Sequence, residues 1–136
     1  MPSKISVTRL VDTVDRDAAL QVLRATYEVE KGWVREAESQ IEDSDLGSDR
    51  VSWFLARQFG EPAGVLRVHY APPVEQYRSY GIRALRPGID VARFLLTSRP
   101  AEIGRFAIMP KLRRNIRIAV ALMRAATKET DRKSVV

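Results

Sequence analysis

The chain has no cysteine and a single histidine, His69. Without thiols there is no disulfide, no thiolate metal site and no cysteine nucleophile, and one imidazole excludes a metal cluster built on histidines. Long apolar runs are also missing. No stretch approaches the roughly 20 apolar residues of a membrane span, and residues 1–8 lack the apolar core of a signal peptide, so a cytoplasmic location is expected. Glycine and proline are modest at 7 each, which leaves no low-complexity signal. What remains is 45% hydrophobic and 29% charged in 136 residues, enough for one core and one domain. Charge is lopsided: 23 basic against 17 acidic residues give +6, which suits an acidic partner such as nucleic acid, a phosphorylated cofactor or an acidic carrier protein.

Residues from about Asp15 to Lys31 read as a first helix, with Asp12, Thr13 or Asp15 as N-cap and Leu20, Leu23 and Tyr27 at helical spacing. Gly32 is expected to end it. Arg24 falls on the apolar face of that wheel, where its guanidinium needs an anionic partner or must reach solvent along its stem. Trp33 follows, and residues 36–50 are acidic and turn-rich, a flexible and partly helical connection. Asp43, Asp45 and Asp49 lack the glycine and terminal glutamate spacing of a calcium loop, so no metal site is expected. Val51–Arg57 and Gly64–Tyr70 read as strands joined in a hairpin across Gly60–Gly64. In the second strand Val65, Arg67 and His69 share one face. His69 could act as a base, although a lone histidine near a strand end is more often structural. Val74 to Arg99 is a long aromatic and basic excursion of the kind that forms lids; the alternative is a short helix or strand over 89–96 that packs on the sheet.

Ala101–Ile108 reads as a third long strand, broken by Pro110 and followed by a helix whose first turn carries Arg113, Arg114 and Arg117. Unpaired N–H groups and partial positive charge at a helix start, with three arginines, make a candidate cradle for a phosphate. Strict alternation puts Ile103, Arg105 and Ala107 on one face and Glu102, Gly104, Phe106 and Ile108 on the other, with Glu102 and Arg105 both buried if the strand is central. Ile116, Ala119, Val120, Met123 and Thr127 form the stripe expected to pack on the sheet. Strands, a long connection, another strand and a packing helix indicate a mixed α/β layer.

This order of elements resembles the first part of the GNAT acyltransferase superfamily. Its phosphate-turn motif, Gln/Arg-x-x-Gly-x-Gly/Ala, is matched by Arg114-Asn-Ile-Arg-Ile-Ala119 at the first and last positions, with Arg117 at the central glycine. The ordered set Arg24, Trp33, Asp43, Asp45, Arg67 and Glu102-x-x-Arg105-Phe106 is similar, more narrowly, to acyl-homoserine-lactone synthases and long-chain N-acyl amino acid synthases. The resemblance implies a GNAT-like sheet flanked by helices, with residues 1–130 as the N-terminal part of one N-acyltransferase domain that breaks off after the acyl-carrier-binding helix. It implies transfer of a fatty acyl group from an acyl-phosphopantetheine thioester, on acyl carrier protein or coenzyme A, to the amine of an amino-acid-like acceptor. Glu102 and Arg105 would be catalytic, with Glu102 freeing the amine of its proton. Arg24, Trp33, Asp43, Asp45, Arg67 and Phe106 would bind substrate, and Arg113, Arg114 and Arg117 the donor phosphate. The alternatives are an acetyl-coenzyme A acetyltransferase and a basic nucleic-acid-binding domain; apolar settings for Arg24 and Arg67, and the charge of Glu102, disfavour the latter. Residues 131–136 match a peptide encoded by a common sequencing adapter and are read as a non-native tail.

Overall fold

The computed structural model describes residues 4–133. Four strands, β1 (Ile5–Arg9), β2 (Val51–Gln58), β3 (Glu61–Tyr70) and β4 (Ala101–Ile108), pair in the order β1-β2-β3-β4. Every pairing among them is antiparallel. Helix α1 (Thr13–Leu23) covers one face of the sheet and α4 (Ile116–Lys133) the other, while α2 (Val74–Ser79) and α3 (Val91–Ser98) lie in the excursion between β3 and β4. Ala19, Leu20, Val22 and Leu23 of α1 pack on Trp53, Leu55, Val65 and Ala107. Ile118, Leu122 and Ala126 of α4 pack on Phe54, Ala56, Leu66 and Val68.

The first helix begins as its sequence suggests, with the Asp12 carboxylate accepting from the Asp15 N–H at 2.8 Å. It does not run regularly to Lys31. From Arg24 to Glu30 the winding loosens into a π-helix, in which the Lys31 N–H reaches the Thr26 carbonyl at 2.9 Å. Buried Thr26 donates its hydroxyl to the Val22 carbonyl at 2.7 Å, a side-chain bond that competes with the regular ladder at this junction. Gly32, at φ 64°, ends the element. The acidic connection is anchored rather than loose: two 3-10 turns, Ala37–Gln40 and Asp43–Asp45, flank the fully buried Ile41, whose carbonyl accepts twice from Arg16 at 2.8 and 3.0 Å.

The hairpin closes more tightly than expected, on the two residues Phe59 (φ 51°) and Gly60 (φ 82°), so β3 starts at Glu61 and absorbs Pro62 beside a register shift. Helix α4 differs in two ways. It starts at Ile116, preceded by a 3-10 turn over Pro110–Leu112, so Arg113 and Arg114 stand before the helix. It is also rotated: Ile118, Leu122 and Ala126 face the sheet, leaving Ile116, Val120, Met123 and Thr127 of the expected stripe exposed. Gly64 helps fix that rotation, because a Cβ there would stand 3.1 Å from Leu122 Cδ1 and 2.8 Å from Ile108 Cδ1. The segment read as a tail is helical through Lys133, whose ammonium lies 4.5 Å from the Tyr70 ring centre, and 134–136 lie outside the described residues.

Candidate functional site

β4 is an edge strand, not a central one, so one row of its N–H and C=O groups has no strand partner among the described residues. It is also bulged. Gly104 pairs with Arg67 and Ala107 with Val65, so Arg105 and Phe106 together stand opposite Leu66. Arg105 takes φ 49°, a left-handed value that costs a non-glycine residue about 1 kcal/mol. The bulge overrides the expected alternation. Glu102, Gly104 and Ala107 all face α1, opposite His69, Arg67 and Val65, while Arg105 and Phe106 are released outward and exposed. The Arg105 guanidinium then lies 6.0 Å from the Tyr27 ring centre, on the α1 side with Glu102 rather than across the sheet from it.

Glu102 is half-buried in a polar cluster. Gln76 Nε2 donates to its Oε2 at 2.8 Å, the Tyr80 hydroxyl to its Oε1 at 3.5 Å, and Arg67 Nη2 stands 3.8 Å from Oε1. The Arg67 guanidinium is 5.9 Å from the centre of the Trp53 ring, and the indole N–H donates to Asp45 Oδ2 at 3.0 Å. An aromatic ring thus bridges Asp45 to Arg67. Burial, and then the like charge of Arg105, push Arg67 below the ordinary arginine value against the pull of Glu102 and Asp45. Burial and Arg67 likewise push His69 down, although Glu102 opposes them across the strand pair. Arg67 Nε is buried without a hydrogen-bond partner among the described residues.

A second feature adjoins the bulge. A cleft of about 290 Å³ opens between the π-helix and the outer end of β4, lined by Tyr27, Trp33, Phe106 and Ile108, with Glu30, Lys31 and Arg113 among its charged lining. Tyr27 and Trp33 meet edge to face at 5.3 Å. Arg113 is not free: its two terminal nitrogens grip the Glu30 carboxylate, one at 2.6 Å. That bond holds Glu30 below the usual carboxylate range and raises Arg113. Arg114 is exposed and has no acidic partner among the described residues. Arg117 is the second residue of α4, and its N–H is taken by Asn115 Oδ1 at 3.2 Å.

Of the residues singled out in the sequence, Arg67, Glu102, Arg105 and Asp45 gather around β4 and Trp53, and Trp33, Phe106 and Arg113 line the cleft. Two lie apart. Arg24 is exposed and paired with Glu38, and Asp43 is exposed at 3.7 Å from Arg16. Trp53, Gln76, Tyr80 and Glu30 were not anticipated. Only the Trp53–Arg67 pairing was approachable, by counting register outward from the hairpin that joins β2 and β3. No metal-holding group of three or more acidic or histidine side chains exists among the described residues, nor any helix long and apolar enough to cross a membrane.

No protein-family model matches the chain, and no curated protein matches it in sequence. Among solved structures, an aminoglycoside acetyltransferase from an uncultured soil metagenomic sample, in complex with sisomicin, superposes with a TM-score of 0.60 at 16% identity. The match covers 97% of this chain and 73% of that one. The chain therefore has the GNAT-like α/β fold of that acetyltransferase.

Proposed function

We propose that the chain is an N-acyltransferase that moves a fatty acyl group from a phosphopantetheine thioester to the amine of a small amino-acid-like acceptor. The observation that carries this reading is the bulge at Arg105–Phe106 on an edge strand, with a carboxylate cluster before it and an aromatic cleft beside it. An edge strand can pair with an extended chain of amides, and pantetheine is such a chain. At the bulge, backbone N–H groups leave the ladder and can donate to the oxyanion that forms on the thioester carbonyl.

Amines are protonated near neutral pH, so attack needs a base. Glu102 accepts that proton, directly or through water, while Gln76 and Tyr80 fix its carboxylate. The freed amine forms the new C–N bond and the C–S bond breaks; the second proton, shed by the nitrogen after attack, passes to the departing thiolate, and Glu102 returns the first to solvent. Arg105 and Arg67 place positive charge beside the acceptor's carboxylate. In this reading Trp33 and Phe106 hold apolar parts of the substrates, Asp45 orients Arg67 through Trp53, and Arg24 and Asp43 act only by ordering the segments they join.

For the donor, a single phosphate fits this rim better than a pyrophosphate. Arg114 has no acidic partner among the described residues, Arg113 is shared with Glu30, and Arg117 replaces the glycine that would let a backbone approach closely. One phosphate is what carrier-bound phosphopantetheine has, and a net charge of +6 would attract an acidic carrier. Acyl carrier protein is therefore the favoured donor over acyl-coenzyme A, with synthesis of an acylated signal molecule as the biological setting. The test is incubation with acyl carrier protein or coenzyme A thioesters and mixed amino acids, with products identified by mass. Transfer from neither donor would overturn the reading. Glu102→Gln should lower turnover by about 10²–10⁴ with an unaltered circular dichroism spectrum.

A further inference from the structure

The excursion between β3 and β4 is closed at its base by the Ala71 N–H, which donates to the Pro100 carbonyl at 2.8 Å, and what lies beyond that base is poorly covered. None of the eight residues of α3 is buried. Leu85 is 101% exposed, Leu96 69%, Phe94 61%, Ile89 52% and Ile82 49%. A surface leucine is ordinary, but five large apolar side chains within fifteen residues are not. Arginine is interleaved with them. Arg83 and Arg86 flank Leu85, Arg93 precedes Phe94, and none of the three has an acidic partner among the described residues. Asp90 is the one acidic residue from 80 to 100, and its carboxylate is engaged by the Arg93 N–H at 3.2 Å, capping α3.

We propose that this excursion docks on the surface of an anionic lipid bilayer, with Leu85 and its apolar neighbours entering the headgroup boundary and Arg83, Arg86 and Arg93 meeting anionic headgroups. Charge selects this occupant over a second copy of the chain, because a symmetric pairing would bring arginines against arginines. The apolar tip selects it over nucleic acid, which would satisfy the arginines but leave Leu85 and Phe94 in water. Apolar side chains alternating with arginine are what an interface needs, since the bilayer offers hydrocarbon and negative charge within a few ångströms of each other. The proposal does not depend on the acyltransferase reading. If both hold, the segment touching lipid is the one that carries Gln76 and Tyr80 to Glu102.

The test is sedimentation of the full chain with vesicles of phosphatidylcholine alone or mixed with phosphatidylglycerol. Binding is expected only to the anionic vesicles, weakening as salt rises. Arg83→Glu with Arg86→Glu should reduce it by about tenfold or more, since each basic residue at the surface contributes on that order. Leu85→Ser should reduce it several-fold without changing net charge or the circular dichroism spectrum, because Leu85 touches no core. Arg124→Glu with Lys128→Glu makes the same charge change on exposed positions of α4 and should leave most of the binding in place. Three results overturn the proposal: no binding to anionic vesicles at low salt, equal losses from the α4 and excursion charge reversals, or a dimer that Leu85→Ser dissociates.

Discussion

Arg67→Met separates a guanidinium retained for stability from one retained for the site. Its separation from Glu102 is 3.8 Å, and both side chains are about one-fifth exposed. Two opposite charges at about 4 Å attract by roughly 1 kcal/mol in water and roughly 4 kcal/mol at an intermediate dielectric, before the loss of hydration is counted. Removing an ion from water costs several kcal/mol when burial is complete. Burial first, and the like charge of Arg105 second, push Arg67 below the ordinary arginine value, while Glu102 and Asp45 pull the other way. A desolvation cost of that direction offsets the attraction, so the pair is expected to add little net stability. Methionine keeps an unbranched stem against Trp53 and removes the charge, while Glu102 retains Gln76 and Tyr80 as donors. Unfolding in urea, followed by circular dichroism, should therefore place Arg67→Met within about 1 kcal/mol of the parent. Acyl transfer by the same variant should fall by about tenfold or more, a loss without a matching loss of stability. Destabilisation beyond about 3 kcal/mol would refute the argument, because it would make the pair a structural brace.

Gly64→Ala should destabilise by about 1–3 kcal/mol, since its Cβ would meet Ile108 Cδ1 at 2.8 Å, Ala107 O at 3.1 Å and Leu122 Cδ1 at 3.1 Å; unfolding at the parent midpoint would show that α4 can slide. Arg105→Gly should be more stable than Arg105→Ala by about 1 kcal/mol, because glycine adopts φ 49° freely, and equal midpoints would argue against the bulge. His69 has a lowered pKa in the fold, so the unfolded chain binds its proton more readily. Stability should then fall as pH drops below about 6.5, the ordinary histidine value, towards the lower folded value, where the loss is complete. His69→Gln should flatten that stretch of the stability curve, and an unchanged slope would assign it to other groups.

Features set by local chemistry were legible in the sequence. Asp12 caps α1, Gly32 stops the π-helix, and β-branched and aromatic runs mark β2 and β3, because each depends on residues within one or two turns of itself. The rotation of α4 was not legible. Ile118, Leu122, Ala125 and Ala126 form one apolar stripe and Ile116, Ala119, Val120 and Met123 another, and helical period alone cannot rank two adjoining stripes. The missing information is shape: a glycine at position 64 admits Leu122 to the sheet. The partners of the site residues were hidden for a related reason. Glu30 and Arg113 are 83 residues apart, and Gln76 reaches Glu102 only because the excursion folds back over β4.

The bulge was the most consequential feature without a sequence signal, since Arg105 occupies a left-handed position usually given to glycine. Its effect follows from the period of two along a strand. Unbulged, β4 would send Glu102, Gly104, Phe106 and Ile108 to one face, placing a large aromatic ring against α1 and keeping every backbone group in the ladder. One extra residue sends Ala107, 5% exposed, into the α1 core instead and frees Phe106 to line the cleft. The same residue turns Arg105 towards Tyr27 and Arg67, so charge expected on two faces of the sheet gathers on one. A strand that had only to hold the sheet together would gain nothing from this strain. In β4 the strain is what joins a core position, an opened edge and a charged cluster within eight residues.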